Sequence, residues 1–123
     1  MENKIYFHKD LIVWQKAMEL VVAVYGLTNK FPREEIYGLT SQMRRSAISI
    51  PSNIAEGKRR GTRRDYRQFF IVAYGSGAEL ETQIEIAKIL PFGKNLNYDT
   101  IGKLIEEVMK MLNKLISPLQ PTT

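Results

Sequence analysis

Leu39-Thr40-Ser41-Gln42-Met43-Arg44-Arg45-Ser46-Ala47-Ile48-Ser49-Ile50-Pro51-Ser52-Asn53-Ile54-Ala55-Glu56-Gly57 carries two helical rows at once. Leu39, Met43, Ala47, Ile50 and Ile54 recur in steps of four, four, three and four, which is one apolar stripe. Gln42, Arg45, Ser49, Asn53 and Glu56 recur in steps of three, four, four and three, and this second row is polar. At about 100° per residue the rows lie roughly 120° apart, so the polar row flanks the core instead of opposing it. Both rows continue in phase across Pro51. A mid-helix proline removes one hydrogen bond and costs about 3 kcal/mol. The stretch therefore reads as one helix, kinked at that proline.

Three further helical patterns surround it. The first spans residues 10–29, with Asp10 as N-cap and two apolar rows, Leu11, Trp14, Met18, Val21, Tyr25 and Val13, Ala17, Leu20, Val24, Leu27. Phe31-Pro32 closes it, and the central helix is expected over 33–57, with Glu34 and Glu35 at its positive end. Gly57 and Gly61 bracket a basic loop and stop that helix. Thr62-Arg63-Arg64-Asp65 resembles a capping box with Asp in place of Glu, opening a third helix over 63–90. Gly75 and Gly77 in its middle imply close approach of another backbone. Residues 91–97 read as a loop, 98–116 as a fourth helix and 117–123 as a frayed tail. The fold class expected is all-α: one domain over 1–123, an antiparallel up-down-up-down four-helix bundle.

The chain has no cysteine, so it holds neither a disulfide nor a thiolate metal site. Met1–Tyr6 lacks the apolar core of a signal peptide, and no apolar run approaches a membrane span, so a cytoplasmic protein without membrane contact is expected. Of the formal charge of +5, residues 44–67 hold eight cations against two carboxylates, a local +6. Concentrated positive charge favours a polyanionic partner.

Enzymatic chemistry finds little to stand on. His8 is the one histidine, it lies in an N-terminal arm, and no Ser or Thr has an evident base beside it. Glu79, Glu81 and Glu85 lack the Glu-x-x-His motifs of a bundle di-metal site. No catalytic residue, metal or cofactor is expected. The binding candidates are Lys58, Arg59, Arg60, Arg63, Arg64 and Arg67 at a helix–loop–helix corner, with Arg44 extending the surface and Tyr66 able to stack on a base. The polar row reads as a clamp. Gln42, Arg45, Ser49, Asn53 and Glu56 should meet a similar line on the third helix, Ser76, Glu79 and Gln83, with Arg45 pairing Glu79.

Leu11-Ile12-Val13-Trp14-Gln15-Lys16-Ala17, Phe31-Pro32 with Tyr37-Gly38-Leu39, the block Ser41 to Gly57, Ala73-Tyr74-Gly75-Ser76 and Glu79-Leu80-Glu81-Thr82-Gln83 together resemble the four-helix-bundle proteins of the 23S rRNA intervening-sequence family. The resemblance implies the same bundle, assembly as a ring-like homopentamer, and no established enzymatic activity. A related branch, the accessory variability determinant of diversity-generating retroelements, binds a reverse transcriptase and nucleic acid. The expected function is thus a non-enzymatic homo-oligomer that binds nucleic acid, RNA before DNA, through the basic corner. The alternative is a protein-interaction scaffold, an accessory subunit of a nucleic-acid-processing enzyme.

Overall fold

The computed structural model describes residues 7–119. Four α-helices run in order: α1 (Ile12–Thr28), α2 (Leu39–Lys58), α3 (Arg63–Ile89) and α4 (Asp99–Ile116). No strand occurs among the described residues. Each helix packs on two neighbours, α1 on α2 and α4, and α3 on α2 and α4, leaving the diagonal pairs apart. Contacts run in opposite order along neighbours. On α2 and α3, Gly57 meets Phe69 and Phe70 while Ser49 meets Ser76. On α3 and the α4 region, Arg63 reaches Pro118, Gly77 meets Met109 and Lys88 lies near Tyr98. Lys16 pairs with Glu107 at 3.6 Å, while Phe31, beyond α1, packs edge-on against Phe92 in the loop entering α4.

The apolar stripes meet at the centre. Ala17, Leu20 and Val24 of α1, Met43, Ala47, Ile50 and Ile54 of α2, Phe70, Ala73 and Leu80 of α3, and Val108 and Leu112 of α4 are fully buried. Of the two rows on α1, the Val13 row is the buried one. The Leu11 row lies partly against the core, with Met18 and Tyr25 exposed. α2 is unbroken through Pro51, which is itself buried. The helix thus crosses the proline as one element.

Several local expectations change. Asp10 closes a short 3-10 turn, His8–Asp10, and Leu11 is the N-cap of α1. His8 is ordered in that turn and packs edge-on against Trp14, with ring centroids 5.1 Å apart. α2 begins at Leu39 instead of residue 33, because Arg33–Glu35 form a 3-10 turn and Gly38 leaves the helical region at φ −111° and ψ −118°. The Glu35 carboxylate then accepts from Leu39 N at 3.0 Å, so it caps the delayed helix where the dipole favours negative charge. At the other end Ser117–Leu119 continue α4 as a 3-10 turn, and the rest of the expected tail lies outside the described residues.

The glycines also act differently. Gly57 lies inside α2, one residue before its last, and a Cβ there would stand 2.9 Å from Phe69 Cβ and 3.0 Å from the Phe70 ring. Its task is contact between α2 and α3. Gly77 makes room for the Met109 side chain, not for a backbone, and Gly75 faces open space. Gly57→Ala should therefore destabilise the fold by about 1–3 kcal/mol through overpacking. Gly75→Ala, in an unobstructed helical position, should stabilise it by about 0.5–1 kcal/mol. Urea unfolding of both variants checks the pair, and equal effects would remove the distinction.

Candidate functional site

The α2–α3 corner is built by two helix ends. α2 finishes in tight turns, with Arg59 N donating to Ala55 O and Glu56 O and Arg60 N to Gly57 O. Thr62 is extended, and its Oγ1 accepts from Asp65 N at 3.1 Å, so it caps α3 as the sequence predicts. The short loop leaves Lys58, Arg59 and Arg60 on one side and Arg63, Arg64 and Arg67 on the other.

These cations are not equivalent. Arg60 bonds Glu56 at 2.7 Å and lies 4.7 Å from the Phe69 ring centroid. Arg63 donates to Pro118 O at 2.8 Å, tying the start of α3 to the turn after α4. Lys58 stands 5.8 Å from the Tyr66 ring centroid. Arg67 has its Nε buried without a partner among the described residues. Arg59 and Arg64 are exposed with no acidic partner among those residues. Tyr66 stacks on Phe70 at 4.5 Å and 17°, so one face belongs to the bundle and is closed to a base.

Between this corner and the end of α4 lies a cleft of about 470 Å³ lined by Arg60, Arg63, Tyr66, Lys114 and Leu115 among others. Three of its lining residues, Arg60, Arg63 and Lys114, are cations and come from three places in the chain. Lys114 is the addition that sequence reasoning missed. It lies far from the Arg cluster in sequence, and only the fold brings it there.

Arg44 does not extend this surface. It lies 14 residues before Lys58, which is about 21 Å along the helix. There its Nε donates to Thr28 Oγ1 at 2.9 Å, its Nη2 to Asn29 Oδ1 at 3.0 Å, and its guanidinium lies 4.3 Å from the Tyr25 ring centroid. Arg44 fastens the C-terminal end of α1 to α2, where a cation also suits the dipole.

The polar rows of α2 and α3 do meet. Ser49 Oγ and Ser76 Oγ share a hydrogen bond of 2.7 Å, and Asn53 Nδ2 donates to Ser49 Oγ at 3.0 Å and to Ser49 O at 2.8 Å. The rest of the row departs from the expected clamp. Glu56 turns outward to Arg60. Arg45 and Glu79 are exposed and line one crevice with Gln42 and Gln83, but no ion pair joins them. Their side chains keep more water on the open flank than a buried pair would.

Among the described residues no three His, Asp or Glu side chains gather as a metal site, and no helix is long and apolar enough to cross a membrane. The family model for the 23S rRNA-intervening sequence protein matches residues 9–114. The chain belongs to that family. Its bundle is also similar to a crystal structure of a protein of unknown function from the S23 ribosomal protein family of Bacteroides thetaiotaomicron, with a TM-score of 0.75. The two share 23% identity over 86% of this chain and 99% of the other, a likeness of fold. No curated protein matches. In this family member the Ser41–Gly57 block forms the α2 seam and part of the core, while the cations crowd one end.

Burial raises the Tyr66 phenol above its ordinary value of 10.0, and Tyr98, whose hydroxyl donates to Gly93 O at 2.8 Å, is raised for the same cause. A phenol that ionises more readily in the unfolded chain contributes stability that is full below pH 10 and lost as pH rises through the folded value. Urea midpoints should hold to pH 9 and fall above pH 10, and Tyr66→Phe should flatten that fall. An identical alkaline profile for the variant would contradict this role for Tyr66.

Proposed function

We propose that this intervening-sequence family member is a non-enzymatic homo-oligomer that binds nucleic acid, RNA in preference to DNA, at the α2–α3 corner. One observation carries the reading: cationic side chains from the loop after α2, the start of α3 and the end of α4 line one cleft. The N-terminal dipole of α3 adds partial positive charge at the same place. Arg59 and Arg64 offer exposed contacts to phosphates, while Arg60 and Arg63, held by Glu56 and Pro118, offer positioned ones. The binding is electrostatic and shape-led, since the stacked Tyr66 leaves little for base readout.

A ring assembly, pentameric in this proposal, multiplies the corner around one axis and gains affinity by avidity. Large apolar side chains stand exposed on the protomer, among them Tyr37 at 93% and Val22 at 70%. Such residues would be covered in an oligomer.

With about five cations on single-stranded RNA phosphates, log K should fall against log salt with a slope of about −3 to −4. Replacing Arg59, Arg60, Arg63 and Arg64 by Ala should remove most of the affinity and flatten the slope, whereas Arg44→Ala should leave both unchanged. Retention of RNA by the fourfold variant across the salt series would sink the proposal. Light scattering checks the assembly: a pentamer of 14.2 kDa chains has about 71 kDa, and a monomer would rule it out.

A further inference from the structure

The seam between α2 and α3 is hydrogen-bonded at Ser49, Ser76 and Asn53 but opens toward the start of α2. There Gln42, Arg45, Ser46 and Ser49 face Glu79 and Gln83 around a crevice of about 340 Å³. Its floor is deep inside the protein: Ser46 is 4% exposed and Gln83 5%. Gln83 Oε1 is buried and has no hydrogen-bond partner among the described residues. Leaving a buried acceptor unbonded is costly, so turning this amide toward a donor in the crevice would be favourable.

The walls narrow the choice of ligand. Arg45 and Glu79 give one positive and one negative group, not joined in an ion pair. Their charges cancel, so a phosphate chain gains nothing overall. No aromatic ring lines the crevice, so a nucleobase has nothing to stack on. A molecule that carries a carboxylate and an ammonium together matches both charges. Its carboxylate would take the Arg45 guanidinium in a two-point contact, and its ammonium would donate to the Glu79 carboxylate and, once the amide turns outward, to Gln83 Oε1. The Ser46 hydroxyl adds a further polar contact at the floor. We propose that this crevice binds a free α-amino acid. The proposal is independent of nucleic-acid binding, because the crevice lies along the helices from the corner and shares no residue with it.

The test uses the full chain, labelled with 15N, and the twenty standard L-amino acids as probes. The Gln83 side-chain amide resonances report binding, with propionate and ethylamine as probes that each carry one of the two charges. At least one amino acid should give a saturable shift at Gln83, and propionate or ethylamine alone should bind roughly 10- to 100-fold more weakly. Arg45→Gln and Glu79→Gln, at exposed positions, should each weaken the amino acid by a similar factor while circular-dichroism melts stay unchanged. The wild-type series decides even if a variant fails to fold. The proposal is overturned if no amino acid gives a saturable shift, or if binding survives intact in both variants. It is equally overturned if the Gln83 signals move only with protein concentration, since a second copy would then fill the crevice.

Discussion

The hydrogen bond between Ser49 and Ser76, 2.7 Å long, fixes how α2 lies on α3. α2 has to satisfy two neighbours at once, an apolar core on one side and a polar seam on the other. A polar seam holds helices together only when its atoms are bonded to each other. The Ser49 hydroxyl does this on two sides, accepting from Asn53 Nδ2 and hydrogen-bonding to Ser76 Oγ. Two turns further on, Gly57 lets the Phe69 and Phe70 side chains come against the α2 backbone. The hydroxyl pair and the missing Cβ together set the register of the most extensive helix pair in the fold.

From that register the two ends of the seam take different characters. Toward Lys58 the helices converge into the capped turn at Thr62, where like charges are crowded onto a short loop. The crowding is relieved in part by Glu56, by the Pro118 carbonyl and by the ring faces of Phe69 and Tyr66. Toward Leu39 the seam opens into the mixed-charge crevice, and Arg44 turns to the other side to hold α1. One helix thus presents a cationic surface at its end, a neutral polar crevice along its flank and a buried stripe beneath.

The helices and the core were legible because each stripe repeats over many turns, and burial then follows from period alone. Ser49, Asn53 and Ser76 were legible for the same reason: short polar side chains on facing rows have few alternatives. Long side chains escaped this logic. Arg45 and Glu79 share a crevice without pairing, and Arg44, which belongs to neither row, meets Thr28, Asn29 and Tyr25 through the packing of α1. α2 starts later than periodicity predicts because the carboxylate of Glu35 caps Leu39 from the far side of Gly38, a local bond that periodicity does not register. Lys114 joins the corner only because α4 returns to it. Residues whose neighbours are distant in the chain are the ones a single sequence conceals.

The dependence of the fold on the α2–α3 bond is measured by a double-mutant cycle on Ser49→Ala and Ser76→Ala, with stability read from urea unfolding. A bond that fixes the register predicts a coupling of about 0.5–1.5 kcal/mol between the two changes. Strictly additive losses, with no coupling beyond error, would contradict it and place the control of the seam elsewhere.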